Sequence, residues 1–264
     1  MAPLRAPFLL FPALFAAIFP ACGGSQSSGR NLSYGDNARE AYEAAYADFE
    51  DEDCLQATEA FLRVRREFPY SRYAALSELR AADCLFIEDK FTEAIAAYRR
   101  FVRNRPSHQE VPYARFRIAE SYYEQIPTDW LLSPPAHELD QGPTREAVRQ
   151  LRRFILDYPE DDRVSKAEEL SKQALALLAR HELYVAEFYL DLDQPEAAIG
   201  RLQTLVRAYE GSGVEPEALL LLGRVFLDMR DRPAARQAFE ELIERYPDSG
   251  FAEQAQSYLN ELGS

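Results

Sequence analysis

The pattern of apolar and polar residues predicts helices along most of the chain. Downstream of Ser33, apolar residues recur at intervals of three and four positions, which places them on one face of an α-helix. Similar short junctions interrupt these helical segments, most clearly Phe68-Pro69-Tyr70-Ser71 and Tyr246-Pro247-Asp248-Ser249. At each junction an aromatic residue closes one helix, Pro prevents its continuation, and Ser or Asp caps the next helix.

The junctions are spaced as in a repeat protein. Weaker copies lie at Arg105-Pro106, Tyr158-Pro159 and Tyr209-Glu210, and successive junctions are 37, 53, 51 and 37 residues apart. Periods in this range are typical of stacked helical hairpins. The second and third intervals are longer than the other two. The second is long because the third hairpin carries an insertion, and the third is long because the fourth hairpin begins with a long helix, Val164 to Tyr189.

Within each hairpin, small residues lie where two helices must approach closely. The last hairpin has the clearest pattern, with Gly223 in its first helix, Ala235 in its second, and Phe239 four positions later. This spacing resembles the tetratricopeptide pattern. We therefore expect an all-α fold, an α-solenoid of about five tetratricopeptide-like helical hairpins plus a C-terminal capping helix from Phe251 to Leu262.

The first residues have a different composition. Ala6 to Phe19 is an apolar run of signal-peptide length, too short and too rich in proline to span a membrane as a helix. It ends at Cys22, which is expected to become the acylated N-terminus of a lipoprotein. Gly23 to Ser33 is rich in Gly and Ser, with one Gln and one Asn, as in a flexible tether. An ordinary secretory signal with an incidental cysteine is the alternative.

These features predict four segments. We expect a lipoprotein signal peptide at 1–21, a flexible lipid tether at 22–34, N-terminal repeats 1–3 at 35–160 with an insert loop at 126–143, and C-terminal repeats 4–5 with the capping helix at 161–264. The insert contains the single Trp130. It is expected either to contact a partner or to pack Trp130 against neighbouring helices.

Charge and residue types argue against two classes of function. The net charge is −14, and no sustained basic stretch is present, which argues against binding to nucleic acid. The histidines His108, His137 and His181 are in separate units and form no metal-binding pair, and no phosphate loop or nucleophile motif is present. His181 is expected to be a packing or surface residue. We therefore expect no enzymatic activity, no metal and no cofactor.

Two further cysteines are expected to lie close together. Cys54 begins the second helix of the first hairpin, and Cys84 lies in the first helix of the next hairpin. Such helices pack together in these arrays, and an exported protein encounters an oxidising compartment. The pair predicts either a disulfide or two small buried thiols, and both alternatives remain open.

Stacked hairpins form a concave surface lined by their first helices. An aromatic groove of this kind suits an extended peptide with bulky apolar side chains, and Arg39, Arg72 or Arg80 is placed to bind a terminal carboxylate. Aromatic residues at helical spacing also pack between helices, so part of this set is expected in the core. The predicted peptide-groove residues are Arg39, Tyr42, Tyr46, Phe49, Leu76, Leu79, Phe86, Tyr113, Phe116 and Tyr123, with Asp83 and Glu120 among them.

Taken together, residues 22–262 resemble the BamD family of outer-membrane assembly lipoproteins. The residues that carry this resemblance are Cys22, Phe68-Pro69-Tyr70-Ser71, Tyr73-Ala74, Asp140-Gln141, Pro143-Thr144, Ala147, Phe154 and Tyr158-Pro159.

The resemblance implies a periplasm-facing scaffold of the β-barrel assembly machine, anchored by lipid in the outer membrane. Its N-terminal half would bind unfolded outer-membrane proteins, and its C-terminal half would dock on the periplasmic domains of the barrel subunit BamA, beside other assembly lipoproteins. The alternative is a tetratricopeptide pilotin lipoprotein for a type IV pilus or a secretin.

Overall fold

The fold is a stack of helical hairpins. The structure is a computed structural model that describes residues 33–128 and 133–263. These residues form eleven α-helices and one 3-10 turn, Ala136–Glu138. The helices are α1 (Tyr34–Glu50), α2 (Cys54–Glu67), α3 (Arg72–Ile87), α4 (Phe91–Asn104), α5 (Val111–Tyr123), α6 (Gly142–Asp157), α7 (Val164–Asp191), α8 (Pro195–Ala208), α9 (Glu215–Asp228), α10 (Arg232–Arg245) and α11 (Ala252–Gly263).

Each helix packs mainly on its neighbours in sequence, which gives five hairpins and a final helix. The predicted all-α solenoid is confirmed. The long helix α7 begins at the predicted residue and ends two residues later, at Asp191. The final helix α11 covers the last hairpin, where the rings of Phe239 and Tyr258 stack with their centroids 5.0 Å apart. It therefore shields an apolar face that has no further repeat to pack on.

The helix ends follow from local side-chain bonds. Ser33 caps α1 in a reciprocal pair with Asp36, and the hydroxyl of Ser71 accepts the backbone N–H of Ala74 at the start of α3. The turns inside four of the hairpins share one geometry, because each has a residue other than glycine with positive φ. These residues are Glu52, Asp89, Asp193 and Arg230, with φ between 56° and 65°.

The close approach of helices depends on small residues, as the sequence predicts. A Cβ atom on Gly223 would lie 2.3 Å from the ring of Phe239, so α9 and α10 can pack at this distance only with glycine there. Fully buried side chains fill the remaining space between helices, among them Phe61, Tyr98, Phe154 and Leu202.

The junction between the fourth and fifth hairpins lacks the proline of the other junctions and is held instead by a buried carboxylate five residues later. Glu215, at the start of α9, is fully buried. Its carboxylate accepts hydrogen bonds from the backbone N–H groups of Gly211 and Ser212, at 2.5 and 3.2 Å, and from the Ser212 hydroxyl at 2.8 Å. It thereby holds the turn that precedes α9.

The described part of the insert is held against α7. Nδ1 of His181 lies 2.6 Å from the carbonyl oxygen of His137, and the rings of His137 and Tyr184 meet edge to face. The amide of Gln141 donates to the carbonyl oxygens of Ala136 and Leu139. His181 is thus a packing residue, as predicted, whereas Trp130 lies outside the described residues.

Candidate functional site

The first helices of successive hairpins lie on the inner side of the array. Within the described residues, α1 contacts α3 and α5 contacts α7 directly. In a stacked array, the side on which neighbouring units approach each other most closely is the concave side. We call the surface formed by α1, α3, α5 and the beginning of α7 the inner groove.

A buried carboxylate organises the centre of the inner groove. Asp83 on α3 is 1% exposed and accepts hydrogen bonds from the hydroxyls of Tyr98 and Tyr113, at 2.5 and 2.8 Å. The guanidinium of Arg80 donates to it at 2.5 Å. Burying a carboxylate is costly unless it is paired and hydrogen-bonded, and these three donors provide both. The network therefore ties α3 to α4 and α5.

The two tyrosines act as donors because they keep their protons. Burial raises the pKa of the Tyr98 hydroxyl, and the neighbouring charge of Asp83 raises it further. The pKa of Tyr113 is raised by the same two causes. Both hydroxyls are therefore protonated at physiological pH and can hold the Asp83 carboxylate in a fixed position.

A second set of charges connects the third hairpin to α7. Glu120 accepts hydrogen bonds from Arg117 at 2.6 Å and from Nζ of Lys166 at 2.5 Å. Cζ of Arg117 also lies 3.7 Å from the centroid of the Phe86 ring. A guanidinium over an aromatic face at this distance forms a cation–π interaction. Sequence reasoning missed Arg117 and Lys166, although the spacing of three between Arg117 and Glu120 on one helix was a usable signal.

The first hairpin contributes an aromatic end to the inner groove. The ring centroids of Tyr42 and Tyr46 are 5.9 Å apart and those of Tyr46 and Phe49 are 5.7 Å apart. Tyr42 also packs against Tyr73 of α3, at 5.4 Å. These rings are half-buried, so they pack on one another and still leave part of their surface exposed to solvent.

Eight of the twelve predicted groove residues keep some exposure. The carboxylates of Asp83 and Glu120 are buried in the ion pairs described above, and Leu79 and Phe116 are buried in the core. Leu79 is fully buried beneath α4, and Phe116 is 3% exposed because its ring packs on Phe154 at 5.4 Å. The prediction that these two line the groove is wrong, since both point into the hairpin core. Arg39 is exposed, and the half-buried ones are Tyr42, Tyr46, Phe49, Leu76, Phe86, Tyr113 and Tyr123.

The three predicted carboxylate-binding arginines differ in what they already bind. Arg80 already donates a hydrogen bond to Asp83 and lies over the ring of Tyr113. Arg39 is 3.8 Å from both Asp36 and Glu43, on an exposed surface. Arg72 donates to the Tyr73 hydroxyl at 2.8 Å.

Arg39 and Arg72 share one cavity at the edge of the inner groove. It has a volume of about 430 Å³ and lies between the beginnings of α1 and α3. Aromatic side chains complete it, including Tyr70, which is 95% exposed. Two arginines beside tyrosines at two helix N-termini make this cavity the better place for a terminal carboxylate.

A second surface, where the third and fourth hairpins meet, carries several arginines. Between α6, α7 and the end of α8 is a cleft of about 460 Å³ with an apolar floor. We call it the arginine cleft, and it is lined by Arg145, Val148, Arg149, Arg152, Arg153, Leu156, Asp157, Leu175, Leu178, Ala208 and Tyr209.

The arginine cleft combines positive charge with exposed apolar surface. Arg149 and Arg153 pair with Glu146 and Asp157 of their own helix, at largely exposed positions. Leu156 is 80% exposed at the rim. Such a concentration of arginines is unusual in a chain with a net charge of −14 and suits an acidic partner surface with apolar side chains.

The remaining predictions concern the cysteines, metal binding and membrane-spanning helices. Cys54 and Cys84 are both buried in the same core cluster, so their predicted proximity is present. Cys22 lies outside the described residues. Within the described ranges, no group of His, Cys, Asp and Glu side chains is arranged to hold a metal ion. No helix in these ranges is long and apolar enough to cross a membrane.

Comparison with known proteins connects these features to one family. Residues 35–237 match the family model described as YfiO, outer membrane lipoprotein. The outer membrane protein assembly factor BamD of Caulobacter vibrioides is 26% identical over 208 residues, which cover 79% of this chain and 66% of that protein.

Other relatives share the same description. The BamD of Xylella fastidiosa is 22% identical over 92% of this chain and 83% of its own length. The BamD of Neisseria meningitidis serogroup B is 24% identical over 80% of this chain and 82% of its own length. Among solved structures, the TPR2AB domain of yeast Sti1 in complex with pHSP90 aligns with a TM-score of 0.44, at 12% identity over 86% of each chain.

Proposed function

Because the chain belongs to the YfiO family of outer membrane lipoproteins, we propose that it is a periplasm-facing scaffold for the assembly of outer-membrane β-barrels. In this role the inner groove binds unfolded outer-membrane proteins, and the C-terminal half, together with the last helix of the third hairpin, docks on the barrel subunit. The relatives named above are assembly factors, which favours this role over that of a pilotin.

The observation that carries the proposal is the surface chemistry of the inner groove. Half-buried rings of Tyr42, Tyr46 and Phe86 alternate there with the charged groups of Arg80 and Arg117. Extended peptides bind such surfaces through bulky side chains that settle between rings, while their polar groups meet charges. Outer-membrane strands alternate apolar and polar residues and therefore match this surface.

The C-terminus of the client peptide is assigned to the cavity lined by Arg39 and Arg72. A terminal carboxylate there would meet two guanidinium groups, and an aromatic last residue would meet Tyr34, Tyr70 or Tyr73. Arg72 is the better partner, because Arg39 already lies near two carboxylates of its own helix.

Docking on the periplasmic domains of the barrel subunit is assigned to the arginine cleft at the boundary between the third and fourth hairpins. Its four arginines and exposed Leu156 suit an acidic surface with apolar side chains. Anchoring is assigned to Cys22, acylated after cleavage of the signal peptide. More than one acyl chain on this residue would anchor the protein durably.

Site-specific photocrosslinking tests client binding. A photoreactive residue at Tyr46 or Phe86 is expected to capture a synthetic peptide with an aromatic C-terminal residue taken from a barrel protein. The same residue at Leu55, which is 68% exposed on α2, is the control and is expected to stay unlabelled. Labelling at Leu55 without labelling at Tyr46 and Phe86 would refute the inner groove as the binding site.

Depletion of the protein in its host tests the broader role. General loss of barrel proteins from the outer membrane is expected because every client would lack the scaffold. Loss of pili or of a secretin alone, with barrel proteins intact, would support the pilotin alternative instead.

A further inference from the structure

Cys54 and Cys84 face each other across the first two hairpins. Helices α2 and α3 run antiparallel and are joined by a four-residue turn, residues 68–71. Cys54 is the first residue of α2 and Cys84 lies in the last turn of α3, so the two lie at the same level of the helix pair. Both belong to one core cluster, together with Ala45, Ala57 and Phe61.

The two thiols are buried in the same core cluster. The Cys54 side chain is 6% exposed and that of Cys84 is fully buried. Within this cluster, the Cys54 side chain is near enough to raise the pKa of the Cys84 thiol. Two cysteines that are neighbours on packed antiparallel helices can form a disulfide with little movement of the backbone.

We propose that Cys54 and Cys84 form an intrachain disulfide in the mature protein, linking the second helix of the first hairpin to the first helix of the second. The proposal rests on the proposed periplasmic location, because disulfides persist in oxidising compartments and are reduced in the cytosol. It also rests on the burial of both side chains in one core cluster, on two helices that pack against each other.

The oxidant is a thiol–disulfide oxidoreductase in its disulfide form. The Cys54 thiolate attacks one sulfur of that disulfide and expels the other as a thiolate, which gives a mixed disulfide. The Cys84 thiolate then attacks the Cys54 sulfur and expels the second oxidoreductase thiolate. Two electrons pass to the oxidoreductase, the two protons released by the cysteines pass to its thiolates or to water, and the protein gains one S–S bond.

The bond should form before the two hairpins pack completely. Burial raises the pKa of the Cys84 thiol to about 12, and the neighbouring Cys54 thiol acts in the same direction. Since the thiolate is the reactive form, Cys84 reacts slowly once it is buried. For the same reason, a disulfide formed during folding is afterwards shielded from reductants.

The disulfide would restrain the aromatic end of the inner groove. Tyr42 of α1 packs on Tyr73 of α3, and both hairpins contribute rings to the surface proposed to bind clients. A covalent link between α2 and α3 limits rotation of the first hairpin against the second. It also closes a loop of the unfolded chain and so reduces the entropy gained on unfolding.

Peptide mass analysis of the full chain tests the proposal. The protein is isolated from outer membranes, denatured and alkylated without a reductant, then digested with trypsin. Cleavage after Arg39, Arg63, Arg80 and Lys90 yields peptides 40–63 and 81–90, which carry Cys54 and Cys84 separately. We expect the two peptides to be found linked, lighter by two hydrogen atoms than their sum, and to be alkylated only after reduction.

The opposite result would overturn the proposal while leaving the function untouched. If both peptides are alkylated without reduction in protein recovered from the outer membrane, the thiols are free although the location is as proposed. If the protein is not found in the outer membrane, oxidation of the purified reduced chain by glutathione disulfide during refolding decides the matter. The linked peptide is expected there too, and glutathione adducts or free thiols alone would exclude the bond.

A thermal measurement gives an independent readout. Reduction by dithiothreitol is expected to lower the melting temperature of the wild type by roughly 5–10 °C, because the cross-link no longer restricts the unfolded chain. The variant carrying Cys54→Ala and Cys84→Ala is the control, and its melting temperature should not respond to the reductant. An equal response in both proteins would contradict the cross-link.

Discussion

The guanidinium of Arg117 lies 3.7 Å from the centroid of the Phe86 ring, so an arginine of the third hairpin covers an aromatic ring of the second. The same arginine bonds to Glu120 and lies 3.7 Å from Asp83. Aromatic and charged groups are therefore joined in one structure at the centre of the inner groove. A client that binds there meets both kinds of group together.

Substitution of Arg117 should weaken both stability and client binding. We expect Arg117→Gln to cost about 1–3 kcal/mol in the free energy of unfolding, because it removes charged hydrogen bonds from a partly buried network. Affinity for a barrel-protein peptide should also fall. Urea unfolding and fluorescence anisotropy measure the two effects. Arg103→Gln, on an exposed part of α4, is the matched control, and equal losses in both variants would mean that the network has no special role.

Substitution of Gly223 should separate α9 from α10. A methyl group at this position would overlap the Phe239 ring, and we expect Gly223→Ala to destabilise the C-terminal hairpins by about 1–3 kcal/mol. Gly200→Ala on α8 is the control, since nothing lies within 4 Å of its added Cβ. It should stabilise the protein by up to about 1 kcal/mol through helix propensity. Chemical unfolding gives the free energy of unfolding of both variants. The prediction would be wrong if this free energy changed in the same direction in both.

Acid should loosen the junction that precedes α9. Burial alone would raise the pKa of the Glu215 carboxyl, but hydrogen bonds from the backbone and from Ser212 outweigh it, and the pKa is lowered from the ordinary 4.5. A carboxylate whose pKa is lower in the folded than in the unfolded chain stabilises the fold at pH above about 4.5. That stabilisation is lost as the pH falls through the folded-state pKa.

Glu215→Gln tests this pH dependence. The free energy of unfolding of the variant should be about 1–3 kcal/mol lower at pH 7. The amide nitrogen of Gln is a donor and cannot accept the hydrogen bonds that a carboxylate oxygen accepts. Its stability should also fall less steeply than that of the wild type below pH 4.5. Urea midpoints measured from pH 3 to pH 7 give both quantities. The control Glu244→Gln, exposed on α10, should show the same dependence of the urea midpoint on pH as the wild type. If Glu215→Gln shows that same dependence, the carboxylate does not have the proposed role.

Charge reversal in the arginine cleft should weaken docking on the barrel subunit. We expect Arg152→Glu to lower affinity for its periplasmic domains about tenfold at low ionic strength, since a favourable contact becomes a repulsive one. The difference should shrink as salt is added. Biolayer interferometry at several salt concentrations provides the measurement. The control Arg66→Glu, exposed on α2, should dock normally, whereas unchanged docking by Arg152→Glu would exclude this surface.

Local sequence patterns were enough to predict the repeat architecture. The ends of the helices depend on caps and prolines within a few residues, as at Ser71 and Asp231. The number of hairpins, the long α7 and the terminal α11 all follow from such short-range signals. The small residue at Gly223 also predicted where two helices meet closely, because only its size matters there.

The tertiary structure alone decided which residues of the first helices face the inner groove. Leu79 and Phe116 have the spacing of groove residues, yet they are buried because their faces turn toward α4 and α6. Helical spacing assigns a residue to a side of its own helix, but the positions of neighbouring helices determine whether that side meets protein or water. The contact of Arg117 with Phe86 depends in the same way on how two hairpins stack, which no local pattern specifies.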